Sequence, residues 1–395
     1  MTTYERRAVG SLALLYAFRM LGLFMVLPLL ALYAADMPGA TPTTLGLALG
    51  MYGLSQALLQ IPLGWLSDRI GRKPVIVAGL VVFGIGSLVA ASADTVGGII
   101  LGRALQGAGA IASTVMALVA DLTSTAQRTK AMALVGMSIG LSFALALVLG
   151  PLVAASGGLS SVFTFTAVLA VIGIAIVSLL VPTPAQQSSG EEALARAGHL
   201  SGALLDARLM RLNIGVFILH FVLMACFLMV PQALEAVVGI GREHHWRVYL
   251  PVLALSVVAM LPLMILAERK QRVRPAFLIG IFLVPLGVAL LGLAGSSTVF
   301  VLGLCVFFIG FNYLEATLPS LVSKTGFKGG RGTAMGVFST CQFLGAFLGG
   351  ALGGWILQHY HTGGLVALCV LLGLLWWVIV QQSSRSLLST ADAVS

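Results

Sequence analysis

Long apolar runs alternate with short polar segments along almost the whole chain, and this alternation predicts membrane-spanning helices. A bilayer core of about 30 Å is crossed by roughly 20 residues of α-helix. Twelve runs approach or exceed that length. They are residues 9–33, 44–66, 74–93, 97–120, 131–155, 159–181, 208–234, 247–267, 275–294, 298–322, 332–358 and 362–381. The pattern therefore predicts an all-α membrane protein with twelve transmembrane helices.

The second half of the chain repeats features of the first half at a spacing of 200–203 residues. The matching segments are FMVLP at 24–28 with FLMVP at 227–231, LSDR at 66–69 with LAER at 266–269, and RTKAM at 128–132 with RGTAM at 331–335. Parallel six-helix repeats place a substrate site between the repeats near the membrane midplane. We predict an N-terminal six-helix bundle at 1–182, a cytoplasmic linker at 183–207, and a C-terminal six-helix bundle with a short cytoplasmic tail at 208–395.

Composition agrees with this prediction and excludes several other classes of protein. The chain is 59% hydrophobic and 9% charged, whereas soluble domains carry about 25% charged residues. The net charge of +9 does not indicate nucleic-acid binding, because the basic residues cluster in short segments between apolar runs. The four cysteines lie inside apolar runs, without the spacing of a disulfide or metal site.

The same basic residues predict how the chain is oriented in the membrane. With a cytoplasmic N-terminus, 18 of the 22 Lys and Arg residues lie on the cytoplasmic side. Arg242 and Arg247 then lie outside, and Arg19 and Arg103 lie within apolar runs. Cytoplasmic loops carry an excess of Lys and Arg, so we predict that both termini are cytoplasmic.

The turn between the second and third runs, GWLSDRIGRK at 64–73, contains the most specific pattern in the chain. Gly64 and Gly71 permit close backbone approach and a tight turn. Asp68 can accept hydrogen bonds at a helix N-terminus, where the helix dipole favours negative charge. Arg72 follows one helical turn later. The plain alternative is a basic loop that only satisfies the positive-inside bias.

This motif resembles the signature loop of the major facilitator superfamily. Three other segments strengthen the resemblance: LGRALQG at 101–107, KAMA at 130–133 and FNYLEATLPS at 311–320. The whole chain is similar to the drug:proton antiporters of that superfamily, and among them to the bacterial YajR-type transporters. Those transporters carry a soluble C-terminal domain, which we expect this chain to lack because it ends shortly after its last apolar run.

The resemblance implies the major facilitator fold, with two pseudo-symmetric six-helix bundles, in a bacterial inner (plasma) membrane. It also implies that the loop motif clips the two halves together when the cavity opens outward and releases them when it opens inward. The residues of this conformational-switch motif would be Gly64, Asp68, Arg69, Gly71, Arg72, Lys73, Asp121 and Arg128.

Charged or titratable groups inside the apolar runs are the candidates for transport chemistry, since a charge at the bilayer centre costs about 2.5–3.5 kcal/mol. Glu315 is either a proton carrier or part of a gate or structural ion pair. The alternatives for Arg19 are to bind an anionic substrate group, to lower the pKa of a nearby acid, or to pair structurally with backbone carbonyls. Arg103 lies in a segment that resembles the family's fourth-helix motif for proton coupling, and simple packing is its alternative. His220 is a proton-coupling candidate or a hydrogen-bonded core histidine.

We therefore predict a proton-coupling set and a substrate cavity. The proton-coupling set is Glu315, Arg103, Arg19 and His220, and the cavity is lined by Arg19, Asn312 and Glu315. No metal site or cofactor is predicted, because His244 and His245 are adjacent and cannot share a helix face, and no phosphate-binding loop is present. An intramembrane enzyme would need a His, Asp or Glu cluster in register on facing helices, and none is found.

The predicted function is proton-coupled secondary transport of small organic or drug-like molecules by alternating access, with efflux antiport as the leading form. A proton symporter or uniporter of a metabolite is the alternative, because Ala154 and Ala155 stand where the family's antiporters carry paired glycines. The predicted partners are a small-molecule substrate, protons and the lipid bilayer, without nucleic acid. We expect the protein to be a monomer.

Overall fold

The computed structural model describes residues 1–183, 202–270, 272–325, 327 and 331–382. This part of the chain is helical almost throughout and contains no strand. Most of the predicted linker at 183–207 and nearly all of the predicted cytoplasmic tail lie outside the described residues, so both stay predictions. The contacts divide the chain into two compact units, Met1–Ala195 and Arg196–Ser395.

The N-terminal unit is built from seven helices within residues 1–183. They are α1 (Thr3–Tyr33), α2 (Pro42–Ile70), α3 (Arg72–Ala91), α4 (Val96–Ala108), α5 (Ala112–Asp121), α6 (Thr125–Ala154) and α7 (Gly158–Leu179). The helices α4 and α5 follow one another as a single membrane span that is interrupted at 109–111. This unit therefore has six spans.

The C-terminal unit begins with α8 (Ala207–Ala233), which continues into a π-helical turn at Leu234–Val238. A 3-10 turn at Arg242–His244 precedes the next helix. The remaining helices are α9 (Trp246–Glu268), α10 (Val273–Gly292), α11 (Ser297–Lys324) and α12 (Arg331–Gln382).

The last helix, α12, is two membrane spans joined by a sharp turn. A straight helix of 52 residues would be about 78 Å long, more than twice the thickness of a bilayer core. At His361 the backbone leaves the helical conformation, with φ 56° and ψ −170°. Gly353 and Leu365 lie on either side of this position and are close together, since a Cβ placed on Gly353 would be 3.5 Å from Leu365 Cδ1. The chain therefore reverses direction at His361. The C-terminal unit therefore also has six spans, and the predicted twelve-helix fold is confirmed.

One helix in each unit is buried over most of its length. The helix α1 packs against α6 and α7, and α8 packs against α12. Pro28 in α1 and Pro231 in α8 occupy the matching positions of the sequence repeat. The helix surfaces carry large apolar side chains, with Leu58, Val171 and Leu179 each more than half exposed. Such a surface suits contact with lipid rather than with water.

Candidate functional site

The α2–α3 turn is compact because Gly71 adopts φ 101° and ψ 150°, a backbone conformation that residues other than glycine avoid. Arg72 can therefore begin α3 directly after α2 ends. It forms an ion pair with Asp68, one turn earlier in sequence, and both side chains are buried. The spacing predicted from the motif thus produces a direct contact.

Arg72 also ties α2 to the end of α5. Its Nε atom donates a hydrogen bond to Asp121 Oδ2 at 3.1 Å, and its Nη1 atom donates to Ser67 Oγ at 2.7 Å. Ser67 Oγ in turn donates to the Gly64 carbonyl at 2.6 Å. A guanidinium group holds several acceptors at once because its N–H donors point in fixed, different directions. The network joins three helices at one membrane surface.

The other predicted motif residues lie around this network rather than within it. Lys73 Nζ donates to the Val181 carbonyl at 2.8 Å, just beyond α7. Arg128 Nη2 donates to the Ala120 carbonyl at 3.1 Å, at the end of α5. Arg69 stacks on a neighbouring ring instead, with its Cζ atom 3.7 Å from the centre of Trp65. The structure therefore separates Arg69 from the ion pairs.

Glu5, which is not among the predicted residues, connects two helices. Its Oε1 atom accepts hydrogen bonds from the Ser124 amide at 2.9 Å and the Ser124 hydroxyl at 2.8 Å, linking α1 to the start of α6. Its Oε2 atom accepts from the Thr2 amide at 2.7 Å in a capping box. The Thr-x-x-Glu spacing at 2–5 signals that cap, but nothing in the sequence indicates the link to Ser124.

Arg103 is held inside the N-terminal unit and is 1% exposed. Its Nε and Nη2 atoms donate to the Ala48 and Leu49 carbonyls of α2 at 3.3 and 3.4 Å. Its Nη1 atom donates to Gln106 Oε1 at 3.0 Å, and Gln106 Nε2 donates to Ser87 Oγ at 2.8 Å. The Arg103 charge is thus spread over acceptors on α2 and α4.

Arg19 lies close to the same region and is 2% exposed. Its Nη2 atom donates to Gln56 Oε1 at 2.9 Å and to the Gly109 carbonyl at 3.1 Å. The Tyr52 ring lies near both arginines, with its centre 6.0 Å from Arg19 Cζ and 5.1 Å from Arg103 Cζ. Two predicted coupling residues are therefore brought together in one buried polar cluster.

In the C-terminal unit, Glu315 and His220 face each other across α11 and α8. His220 Nε2 lies 3.6 Å from Glu315 Oε2. Gln342 of α12 contacts both groups, since its Nε2 atom lies 2.8 Å from His220 Nε2 and donates to Glu315 Oε1 at 3.4 Å. Gln342 is not among the predicted residues, because its only signal in the sequence is a single amide within an apolar run.

The contacts around His220 assign a donor and an acceptor role to its two ring nitrogens. His220 Nδ1 lies 3.1 Å from the Val216 carbonyl, which accepts but cannot donate, so Nδ1 carries a proton. Gln342 Nε2 only donates, so the facing His220 Nε2 atom must be the acceptor. The Glu315 side chain is 40% exposed and that of His220 is 12% exposed. Glu315 is therefore the more accessible of the two titratable groups.

Asn312 makes a contact of its own one turn before Glu315. Its Nδ2 atom donates to Ser256 Oγ at 2.9 Å, which links α11 to α9. Asn312 is therefore near the Glu315 cluster in sequence but is bound to a different helix. Its predicted place in the substrate cavity stays a prediction.

The turn before α9 holds charged pairs rather than a convergent ligand set. Arg242 Nε lies 3.3 Å from Glu235 Oε1, and His244 Nδ1 lies 3.2 Å from Glu243 Oε1. Within the described ranges no three His, Cys, Asp or Glu side chains converge as metal ligands do.

Residues 12–350 match the sequence pattern of the Major Facilitator Superfamily. The chain belongs to this superfamily. It is therefore a multi-pass membrane transporter of small molecules rather than an enzyme, as the sequence predicted.

Individual relatives agree with this assignment. The chain is 45% identical over 382 residues to the inner membrane transport protein YajR of Escherichia coli, covering 96% of this chain and 84% of that relative. It is 27% identical over 406 residues to the multidrug resistance protein MdtH of Yersinia enterocolitica, covering 98% of each. A solved bacterial homologue of the human lysosomal transporter Spinster has a TM-score of 0.77 at 14% identity, covering 98% of this chain and 99% of that chain. This last likeness concerns the fold alone.

Proposed function

We propose that this major facilitator transporter exports small organic or drug-like molecules from a bacterial cell in exchange for protons, by alternating access in the inner (plasma) membrane. The observation that carries the proposal is the contact of Glu315, His220 and Gln342. An acid, a titratable ring and an amide meet there on three different helices. Ionisable residues inside membrane spans are rare and typically form proton relays or substrate paths.

Proton uptake would rearrange this cluster. In the neutral state, Gln342 donates to both His220 and Glu315. Once His220 is protonated, its Nε2 atom becomes a donor and can no longer accept from Gln342 Nε2. The amide must then turn its oxygen toward the ring, or the ring must donate to Glu315. Either change alters the hydrogen bonds that join α8, α11 and α12, so the protonation state is coupled to helix packing.

We extend the proposal to the N-terminal unit. The Arg72 network would act as the conformational switch, because breaking it releases α2, α3 and α5 from one another. Arg103 and Arg19 would complete the coupling set as fixed buried charges. Cytoplasmic termini and a monomeric state complete the proposed picture and stay predictions.

The direction of transport is proposed from the relatives. MdtH is named as a multidrug resistance protein, which supports export. A proton symporter or uniporter of a metabolite is the second candidate, because α6 ends in Ala154 and lacks the paired glycines of the antiporters that it resembles.

Everted membrane vesicles test the proposal directly. Respiration acidifies their interior and quenches a pH-sensitive acridine dye. Ethidium, rhodamine 6G and Hoechst 33342 are then added outside, at the cytoplasmic face. Antiport predicts that a transported compound enters as protons leave, so the dye fluorescence recovers only in vesicles that contain the protein. Transport of these probes without any fluorescence recovery would contradict proton antiport.

A further inference from the structure

The interior of the N-terminal unit carries positive charge without a counter-ion. Arg19 and Arg103 are both buried, and no carboxylate within residues 1–183 forms an ion pair with either of them. A buried charge is tolerated only when other groups compensate it. Each of the three guanidinium nitrogens of Arg103 has an acceptor. Arg19 is different.

Only one of the three guanidinium nitrogens of Arg19 has an acceptor. Its Nη2 atom donates to Gln56 and to the Gly109 carbonyl, but its Nε and Nη1 atoms have no hydrogen-bond partner. The Nε2 atom of Gln56, which is fully buried, has no partner either. All three unsatisfied atoms are donors. The group that would complete the site is therefore an acceptor.

The backbone beside Arg19 also favours negative charge. The Gly109 carbonyl lies in the break between α4 and α5, three positions before α5 begins at Ala112. The first N–H groups of a helix lack intrahelical acceptors and form its positive end. The Thr114 hydroxyl in that first turn is buried without a partner. Broken helices of other transporters direct such ends at anionic groups.

We infer that the Arg19–Gln56 site at the α4–α5 break binds a small monovalent anionic group, a carboxylate or a halide. Two guanidinium donors and one amide donor match such a group, and the Phe83 ring lies beside the guanidinium group, with its centre 5.7 Å from Arg19 Cζ. A carboxylate would belong to the transported molecule, and that source rests on the transport function proposed above. A halide would be a resident ion and does not depend on that function.

The test measures the melting temperature of the purified full-length protein in detergent. In one arm chloride replaces methanesulfonate at constant ionic strength, and in the other benzoate is compared with benzamide in methanesulfonate. The wild type is expected to melt about 2–5 °C higher with a bound anion. A rise with chloride alone identifies a halide, and a rise with benzoate but not benzamide identifies a carboxylate. Both results support the site.

Variants place the effect at Arg19. Arg19→Gln is expected to abolish the rise, whereas Arg247→Gln removes the same charge from an exposed position and is expected to retain it. Gln56→Glu supplies an internal carboxylate where Gln56 Nε2 now lacks a partner. It should melt higher than the wild type in methanesulfonate and should no longer respond to chloride or benzoate. This second variant carries the test even where Arg19→Gln does not fold.

The inference is overturned when neither anion stabilises the wild type, or when Arg19→Gln and Gln56→Glu respond as the wild type does. These outcomes are separate from those of the vesicle assay, because the melting readout involves no proton movement. If anions raise the melting temperature but the protein does not exchange protons, the anion site is supported and the antiport proposal is contradicted. Proton exchange without an anion response does the reverse.

Discussion

His220 Nε2 lies 3.6 Å from Glu315 Oε2, although the two residues belong to helices α8 and α11, which are far apart in sequence. This distance is too long for a direct hydrogen bond. Gln342 of α12 spans the gap by contacting both groups. The Gln342 amide therefore links the His220 ring to the Glu315 carboxylate.

Replacing the Gln342 side chain removes the hydrogen-bonded link between His220 and Glu315. Gln342→Leu keeps a side chain of similar size but removes the donor shared by His220 and Glu315. We expect proton-driven transport to fall at least ~10-fold, in line with the loss of one charge-assisted hydrogen bond. Transport of a fluorescent probe into everted vesicles measures the effect.

The matched control lies on the same helix. Gln358→Leu makes the same chemical change at an exposed position near the turn at His361 and should leave transport close to that of the wild type. Equal losses in both variants would assign the effect to the packing of α12 rather than to the cluster.

Arg72 and Arg69 provide a second contrast within one motif. Arg72→Ala breaks the buried contacts with Asp68, Asp121 and Ser67, so we expect a loss of about 3 kcal/mol in the free energy of unfolding. Transport should fall at least ~10-fold. Arg72→Lys should rescue little, because one ammonium group cannot hold acceptors in three directions.

Arg69→Ala is the control, because Arg69 stacks on exposed Trp65 and is not part of the network. Thermal unfolding and vesicle transport are measured on all three variants. A transport defect in Arg69→Ala as large as that in Arg72→Ala would show that basic charge, rather than the ion-pair network, is what matters.

The turn within α12 predicts a stabilising substitution. His361 adopts φ 56° and ψ −170°, a conformation that costs a side-chain-bearing residue about 1–3 kcal/mol. His361→Gly should therefore raise the melting temperature. Tyr360→Gly, one residue earlier in helical conformation, should lower it. A lower melting temperature for His361→Gly would refute the strained turn.

The predicted orientation is tested by cysteine labelling. Ile70→Cys at the α2–α3 turn should react with a membrane-impermeant maleimide only after cells are opened. Asp94→Cys in the α3–α4 loop should react in intact cells. The native chain, whose cysteines lie within apolar runs, gives the background. Labelling of Ile70→Cys in intact cells would reverse the topology.

The sequence predicted the fold because lipid imposes a strict rule on it. Backbone groups in a bilayer must be paired within helices, so apolar run length alone locates the twelve spans. The Asp68–Arg72 contact was also predictable, since both residues lie within one turn of chain. The break between α4 and α5 was not, because its apolar sequence reads as continuous helix.

The partners of the buried polar residues were not predicted, for a different reason. Arg103 is held largely by the Ala48 and Leu49 carbonyls. Every residue has a backbone carbonyl, so residue type does not show which carbonyls accept these hydrogen bonds. Gln342 contacts a histidine 122 positions away. Such contacts depend on how each helix is rotated about its axis relative to its neighbours. Helix packing determines this rotation, and the hydropathy pattern contains no information about it.

The most direct test of the account is the Glu315→Gln variant, measured in two ways. In proteoliposomes it should lose substrate-driven proton movement, yet it should retain exchange of labelled against unlabelled substrate, which needs no net proton transfer. Glu235→Gln, at the ion pair with Arg242 before α9, should retain both activities. Substrate-driven proton movement at the wild-type rate in Glu315→Gln would contradict the assignment of Glu315 as the proton carrier.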